Sequence, residues 1–533
     1  MSDTELEIQG MTCDACAVHV RDALGQAGAR EVAIDWRRGK GTMAAGGPSQ
    51  DEIDTALAGT RYRTQILRAR RSGNGDDPKR GTREYELVVL GSGGAAFAAA
   101  IRARDLGRRV ALVERGTIGG TCVNIGCIPS KSLLVSSERH NGQPTTLAGA
   151  VAVKGALVER LRQQKYVDLL PEYGIEYRAG DATLRDAHTI EVDGEALSAD
   201  AIVIATGARP AAPPIDGLEA AGYLTSTSAL EVTEPPPRLT VIGANAVGLE
   251  LGQMLGNFGS HVTFISRRAL APRFEPEISQ IIREVLEDQG HTILEHAQTE
   301  SVSVEGDEKV LRGRLADGQT FEVRSEEILV ATGRTPNTDS LGLDRVGVAT
   351  DARGAIHVDE HQRTSVPSIY AAGDVTDQAQ FVYVAAAGGA AAAQNALADG
   401  DERLEFANLP RIIFTSPQIA SAGLTEHEAH ERGFDVETSV LPLDAVPRAL
   451  VNDDTRGTFK LVAEADSRRL LGASIIADGA GDVIQSAVLA IGHEMTVDQL
   501  SSTWAPYLTM AEGLKLAAQT FGRDVAKLSC CAA

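Results

Sequence analysis

The apolar positions of the chain alternate between short runs typical of buried strands and longer stretches with helical spacing. Near the N-terminus, Leu6 and Ile8 alternate as in a strand, residues 13–27 have helical character, and residues 31–36 can form another strand. This pattern predicts a small α+β domain over residues 1–68. The Gly-, Asp- and Arg-rich stretch that follows has no apolar periodicity and predicts a flexible linker over residues 69–83.

Two later segments have the pattern of a buried strand, a Gly-rich turn and a helix. They are ELVVLGSGGAAFAAAIRA from Glu86 and LTVIGANAVGLELGQMLG from Leu239. Two such units about 150 residues apart predict two nucleotide-binding domains. From about residue 405 onward, several strand patterns and then helices predict a separate α+β unit.

Composition narrows the class of protein. The 533 residues are 43% hydrophobic and 23% charged, which is typical of a soluble globular protein. With 51 basic and 73 acidic residues the net charge is −22, which argues against binding to nucleic acid or anionic lipid. The chain starts without a secretory signal and has no apolar run of about 18 residues. We therefore expect a cytoplasmic protein that is not membrane-integral.

The six cysteines form three close pairs: Cys13 with Cys16, Cys122 with Cys127, and Cys530 with Cys531. Six cysteines in a chain of this length cannot form a disulfide scaffold. In a reducing compartment, close pairs indicate metal-binding or redox sites.

The first Gly-rich turn has the pattern Gly91-x-Gly93-x-x-Ala96 between a strand and a helix. Its glycines let the backbone approach a pyrophosphate at the helix N-terminus. Glu114 ends the next predicted strand, where an acidic side chain binds ribose hydroxyls. These features together predict a dinucleotide site.

The second turn, Gly243-x-Asn245-x-x-Gly248, has Asn where a second Gly is usual. Asn tolerates a positive φ, so we expect the turn to form there. The next predicted strand ends at Ser266 and is followed by Arg267 and Arg268 instead of an acidic residue. Paired arginines suit a 2′-phosphate, which favours NADPH over NADH; the alternative is a solvated loop.

Residues 119–131 carry the most specific motif, Cys122-x4-Cys127, shortly after Glu114. A dithiol beside the first nucleotide can take two electrons from a flavin and cycle between disulfide and dithiol. A helix N-terminus would lower the pKa of one thiol. The alternative is a pair of buried structural cysteines.

This segment resembles the pyridine nucleotide–disulfide oxidoreductases, and the resemblance covers residues 84–533. Further matching motifs lie at residues 205–208, 331–334 and 371–374. The resemblance implies an α/β fold with two Rossmann-like domains and an α+β dimerisation domain. The implied boundaries are 84–223 and 346–404 for the two parts of the FAD-binding domain, 224–345 for the NADPH-binding domain and 405–533 for the C-terminal domain with its Cys-Cys tail.

The same resemblance assigns roles to individual residues. Cys127 is the flavin-proximal thiol and Cys122 the one that meets substrate, while Lys131 lies by the flavin and Glu250 near the nicotinamide. Asp374 contacts the FAD ribitol chain, and a helix that starts near Val382 points at the flavin ring. The remaining cofactor-binding positions that we expect are Gly116, Thr121, Gly207 and Ala208.

Two features select a branch of that family. Tyr507 occupies the place of the His that serves thiol-disulfide exchange, and a phenol is a poor proton shuttle at neutral pH. Adjacent Cys530 and Cys531 can offer two thiolates to a soft metal ion. With the segment from residue 506, they resemble the mercuric reductase branch.

Residues 10–16, GMTCDAC, resemble the loop of heavy-metal-associated domains. Such domains have a ferredoxin-like βαββαβ fold, and this one would bind an exposed ion through Cys13 and Cys16.

The branch implies that NADPH reduces FAD, that FAD reduces the Cys122–Cys127 pair, and that Hg(II), which arrives as a thiol complex, becomes Hg(0). Hg(II) would move from Cys13/Cys16 to Cys530/Cys531 of the partner in a homodimer, and then to Cys122/Cys127. A mercury transporter is a candidate partner. The alternatives are a disulfide or dihydrolipoamide reductase of the same family and a non-catalytic metal-binding or redox-sensing protein.

Overall fold

In the computed structural model the chain divides into two compact units, residues 1–82 and 83–533. The structure describes residues 4–9, 14–30, 32–35, 39–44, 47–58, 60, 62–67, 83–138, 146–398 and 400–523. Most of the predicted linker 69–83 therefore lies outside the described residues. Within these ranges no helix is long and apolar enough to span a membrane.

The first unit is an antiparallel sheet with strand order β2-β3-β1-β4 and two helices. The alternation around Leu6 and Ile8 arises because both side chains enter a core with Val20 and Leu24 of the first helix. The predicted βαββαβ order is confirmed, with elements β1 Thr4–Gln9, α1 Asp14–Gln26, β2 Ala33–Asp35, β3 Lys40–Met43, α2 Gln50–Ala56 and β4 Arg63–Leu67.

The second unit begins with a Rossmann-like layer. Its elements are β5 Tyr85–Leu90, α3 Gly94–Asp105, β6 Val110–Glu114, α4 Gly120–Ile125, α5 Cys127–Glu138, α6 Leu147–Arg162, α7 Leu169–Tyr173, β7 Glu176–Ala179, β8 Ala182–Leu184, β9 Thr189–Val192, β10 Glu195–Ile204, β11 Ala208–Pro210 and α8 Leu218–Ala221. The strands run in the order β7-β6-β5-β10-β9-β8, and the first four are parallel. The apolar runs of β5, β6 and the second half of β10 are buried on both faces, as expected of the inner strands of a parallel sheet, whereas the edge strand β7 is largely exposed.

A second parallel layer follows, with strand order β14-β13-β12-β18, beside a three-stranded antiparallel sheet. The elements are β12 Arg238–Ile242, α9 Ala246–Asn257, β13 His261–Ile265, α10 Pro276–Asp288, β14 Thr292–Leu294, β15 Ala297–Glu305, β16 Glu308–Leu315, β17 Thr320–Ser325 and β18 Glu327–Val330. The chain then returns to the first layer, where β20 pairs with β10. The returning elements are β19 Arg334–Pro336, α11 Leu343–Val346, β20 Ile369–Ala371 and α12 Val382–Leu397.

The C-terminal part is a five-stranded antiparallel sheet in the order β21-β22-β25-β24-β23, covered by helices. Its elements are β21 Arg411–Ile413, β22 Gln418–Gly423, α13 Glu426–Glu431, β23 Val436–Pro442, α14 Pro447–Asn452, β24 Thr458–Glu464, β25 Leu470–Ala477, α15 Ala480–Gly492, α16 Val497–Ser501 and α17 Glu512–Gln519. The predicted α/β class with an α+β C-terminal domain is confirmed.

Candidate active site

The first Gly-rich turn packs backbone against backbone. Gly91 has φ +108°, and a Cβ there would lie 2.3 Å from the carbonyl oxygen of Ala205. A Cβ on Gly120 would lie 2.4 Å from the Cα of Gly93. Because α4 begins at Gly120, the helix that carries Cys122 starts directly against the predicted pyrophosphate turn.

Glu114 is tied to this turn through hydrogen bonds. Its carboxylate accepts from the Ser92 hydroxyl at 2.6 Å and from the Gly116 amide at 2.7 Å. The Ser92 oxygen in turn accepts from the amide of Gly119 at 3.1 Å. Each carboxylate oxygen keeps a lone pair, so Glu114 can still accept from a ribose hydroxyl.

The two Ala-Thr-Gly motifs meet at one edge of this layer, where β11 pairs with β19. The Thr206 hydroxyl donates to the carbonyl of Asn337 at 2.8 Å, and the Asn337 amide donates to the carbonyl of Thr206 at 2.9 Å. Arg334 lies 3.4 Å from the Asp374 carboxylate and also donates to the carbonyl of Ala208. The predicted positions Gly207, Ala208 and Asp374 thus surround one junction, and Thr121 lies 3.5 Å from Arg334.

Among the described residues, the Asp374 carboxylate has Arg334 as its charged neighbour, at 3.4 Å. Burial raises the pKa of its carboxyl, and the Arg334 guanidinium opposes that shift. The nearby helix α12 begins at Val382 as predicted, and its N-cap residue Phe381 supplies no side-chain cap. A half-buried carboxylate beside an uncapped helix start can bind the hydroxyl and carbonyl groups of a flavin nucleotide.

The two redox cysteines are free thiols and differ in acidity. Cys127 is the first residue of α5, and Cys122 lies in α4. A hydrogen bond from the Cys122 thiol, helped by the charge of Lys131, lowers the pKa of Cys127 to about 6. The same hydrogen bond, together with burial, raises the pKa of Cys122. Cys127 is therefore the thiolate of the pair at neutral pH.

Lys131 and Glu250 form an ion pair, with 2.6 Å between the Nζ and Oε2 atoms. The other carboxylate oxygen of Glu250 accepts the main-chain N–H of Phe414 at 3.0 Å, and the Lys131 ammonium lies 4.5 Å from the centre of the Phe414 ring. The two predicted residues are thus brought together, whereas no sequence motif pointed to Phe414.

Tyr166 and Tyr383 also lie near the cysteine pair, and sequence reasoning missed both. Burial raises the pKa of Tyr166, with contributions from the charges of both cysteines. Burial and the charge of Cys127 raise the pKa of Tyr383 to about 12. Tyr166 stands in a π-helical turn, Gln163–Val167, a feature common at functional sites but not visible in the sequence.

The second Gly-rich turn differs in one detail from our expectation. The expected turn forms, but its positive φ is that of Gly243, at +101°, whereas Asn245 is the N-cap residue of α9 with an extended φ of −111° and has no need of the tolerance for positive φ. Gly243 directly follows β12, and the chain changes direction at this residue. A Cβ on Gly248 would lie 1.8 Å from the Gly243 carbonyl oxygen, which explains the last Gly of the motif. Arg267 and Arg268 follow β13 and are exposed.

Tyr507 lies in an exposed turn of the C-terminal domain, with 58% of the residue accessible. The turn includes Leu508 at φ +56°, and the buried Glu512 carboxylate accepts its N–H. Cys13, Cys530 and Cys531 lie outside the described residues. Cys16 is only 4% exposed and packs in the core of the first unit.

Two family patterns match the chain, and together they cover most of the second unit. "Pyridine nucleotide-disulphide oxidoreductase" matches residues 85–400, and the dimerisation domain of the same family matches residues 409–518. The chain belongs to this family. Within the family it is 46% identical to a mercuric reductase of Staphylococcus aureus over 99% of both chains, and 49% identical to one of Streptomyces lividans over 84% of this chain and 98% of the relative.

Among solved structures, the HOCl-induced flavoprotein disulfide reductase RclA from Escherichia coli is similar, with a TM-score of 0.75, 31% identity, and coverage of 82% of this chain and 99% of that one. Pyridine nucleotide–disulphide oxidoreductases bind FAD and a nicotinamide nucleotide. The backbone cradle at Gly91 and Gly120 and the half-buried Asp374 fit FAD. The dimerisation domain makes a homodimer the assembly of this family member.

Proposed function

We propose that this protein reduces Hg(II) to Hg(0) with electrons from NADPH. The observation that carries the proposal is the unequal pair Cys122 and Cys127 set directly against the first nucleotide turn. The similarity to relatives named mercuric reductase, at 46% and 49% identity, suggests that the substrate of this pair is Hg(II). Two sulfur ligands suit a soft metal ion.

FAD, when bound, carries two electrons from the nicotinamide to the cysteines. Reduction of a Cys122–Cys127 disulfide consumes two electrons and two protons and yields two thiols, of which Cys127 releases its proton at neutral pH. Hg(II) bound between the two sulfurs then accepts two further electrons, from a second NADPH, and leaves as Hg(0). Lys131 holds positive charge beside Cys127, and Tyr166 borders the pair.

The proposed delivery route uses the remaining cysteines. Cys13 and Cys16 collect Hg(II), Cys530 and Cys531 of the partner subunit receive it by ligand exchange, and Cys122 and Cys127 take it last. Because Cys16 is buried in the core of the first unit, the route includes a local opening of that unit when the ion leaves. Tyr507, exposed on the C-terminal domain, helps to place the ion or to shield it.

The deciding test is NADPH oxidation by the purified flavoprotein with Hg(II) in excess small thiol, compared with oxidised glutathione and lipoamide. We expect turnover with Hg(II) and little with either disulfide. Turnover with a disulfide but none with Hg(II) would replace the proposal with disulfide reduction. No NADPH oxidation with any acceptor would leave a non-catalytic metal-binding or redox-sensing protein.

The delivery route has its own test in mixed dimers. One chain carries Cys530→Ala and Cys531→Ala, and the other carries Cys122→Ala and Cys127→Ala. If the tail serves the partner's site, the mixed dimer keeps one working site and homodimers of either variant have little activity. A mixed dimer as inactive as the variant homodimers would contradict delivery between subunits.

A further inference from the structure

One residue of the dimerisation domain touches both members of the Lys131–Glu250 ion pair. The ring of Phe414 lies under the Lys131 ammonium at 4.5 Å, and its main-chain N–H binds the Oε1 atom of Glu250 at 3.0 Å. The Oε2 atom of Glu250 is left to Lys131 at 2.6 Å. Each oxygen of the carboxylate therefore has one partner, and Phe414 contacts both charges.

The segment that carries Phe414 is fixed to α9, the helix that carries Glu250. The Gln253 side chain is fully buried and forms two hydrogen bonds with Ser416, one from its amide to the carbonyl at 2.9 Å and one from the Ser416 N–H at 2.8 Å. With the Phe414 N–H, three hydrogen bonds lock residues 414–416 to one face of the helix. These bonds fix the main chain at Phe414, and its ring packs against the apolar core cluster that includes residues of α9.

Burial does not hold Lys131 in the same way. Its side chain is 31% exposed, whereas that of Glu250 is 7% exposed. A lysine stem has several rotatable bonds, and fixing it costs conformational entropy. The face of an aromatic ring attracts an ammonium and restricts where it can lie. The Phe414 ring therefore gives the Lys131 ammonium a second contact, beside its ion pair with Glu250, and this contact restricts its position.

We infer that Phe414 is a positioning residue that holds the Lys131 ammonium in one pose at the redox site. The inference rests on the proposed function only in placing Lys131 beside the flavin; it does not depend on the metal. A fixed positive charge there favours the reduced, more negative flavin. The same charge would stabilise the negative charge that the flavin gains when it is reduced by the nicotinamide, and so would favour that step.

The test separates the ring from the main-chain hydrogen bond. Phe414→Leu removes the aromatic face but keeps the N–H bond to Glu250, and Phe414→Tyr keeps both. We expect Phe414→Leu to make the midpoint potential of the bound flavin more negative. The rate of flavin reduction at saturating NADPH, followed in a stopped flow without mercury, should fall by about twofold to thirtyfold, the range that a cation–π contact is worth. In Phe414→Tyr, both the midpoint potential and the rate should stay close to those of the unaltered protein.

A matched control is Phe258→Leu. Phe258 packs against the same apolar cluster as Phe414 but belongs to the end of α9, away from the ion pair. A general loss of packing would shift both variants alike, whereas the inference requires a change in Phe414→Leu only.

A double variant decides whether Phe414 acts through Lys131. In a Lys131→Met background, Phe414→Leu should produce no further change in the flavin potential. Additive shifts, or an unchanged potential and rate in Phe414→Leu, would overturn the inference while leaving mercury reduction untouched. A shifted potential in a protein that fails to reduce Hg(II) would keep the inference and reject the proposed function.

Discussion

At the scale of single residues, the redox pair shows how one residue type acquires two chemistries. The hydrogen bond between the sulfurs stabilises the Cys127 thiolate and disfavours ionisation of Cys122. Lys131, four residues after Cys127 on the same helix, adds positive charge on the side of Cys127. At neutral pH the pair therefore consists of a nucleophilic thiolate on Cys127 and a protonated thiol on Cys122.

Removing the donor should weaken this asymmetry. In Cys122→Ala, the pKa of Cys127 should rise from about 6 toward the ordinary thiol value near 8.5, because the thiolate loses its hydrogen bond. The thiolate absorbance of the reduced protein, titrated against pH, measures this pKa. Cys122→Ser keeps a donor and should stay close to the original value; equal shifts in both variants would contradict the explanation.

Arg267 and Arg268 are exposed after β13, where a 2′-phosphate would lie. In Arg267→Ala/Arg268→Ala, the KM for NADPH should rise by at least about tenfold, because charge-assisted hydrogen bonds are lost. Kinetics with NADH should change little, since NADH has no such phosphate. Arg345→Ala, an exposed arginine of α11, serves as the control. Equal effects on both nucleotides would count against NADPH preference.

At the scale of elements, close approach of helices shapes the nucleotide site. Helices α3 and α12 cross where a Cβ on Gly389 would lie 2.0 Å from the carbonyl oxygen of Ala95. Ala95 belongs to the first turn of α3, next to Ala96 of the first dinucleotide motif. The glycine lets α12 pack closely against the helix that follows the first Gly-rich turn.

Gly389→Ala should therefore displace α3 and loosen FAD. We expect a loss of about 1–3 kcal/mol in the free energy of unfolding and faster flavin release on warming. Thermal unfolding followed by flavin fluorescence measures both. Gly155→Ala is the matched control, because that helical glycine has open space around it and alanine should be neutral or stabilising there. A fully stable, flavin-retaining Gly389→Ala would refute the packing argument.

At the scale of the whole molecule, a buried cation joins α10 of the second parallel layer to the C-terminal sheet. Lys460 of β24 is 3% exposed and lies 3.1 Å from Glu275, 2.9 Å from Glu277 and 2.7 Å from Glu426. Burial disfavours the ammonium, but hydrogen bonds to Glu426 and Glu277 outweigh it and raise the pKa of Lys460. Burial likewise raises the pKa of Glu275.

Lys460→Met should destabilise this joint more at high pH than at low pH. Without the cation, Glu275 has a folded-state pKa further above its unfolded value, so stability is kept in acid and lost as the pH rises through that folded pKa. We expect a loss of about 3–5 kcal/mol at pH 8 and a smaller loss at pH 5 in denaturant unfolding. Lys309→Met breaks a more exposed pair with Glu327 and should cost about 1 kcal/mol or less. A deficit in Lys460→Met that is equal at both pH values would contradict the role assigned to Glu275.

Local features of the sequence predicted the two Gly-rich turns with the strand and helix on either side of each, and the close pairing of the cysteines, because each depends on neighbouring residues. The start of α12 near Val382 came from the resemblance to the family. The tertiary structure alone decided the contacts of Phe414 with Lys131 and Glu250, the approach of Tyr166 and Tyr383 to the cysteines, the burial of Cys16 and the extended Asn245. Lys131 and Glu250 stand 119 residues apart, and Glu250 and Phe414 stand 164 apart. The hydrophobic pattern of one segment cannot predict contacts between residues so far apart in the chain, because these contacts form only when separate layers pack together.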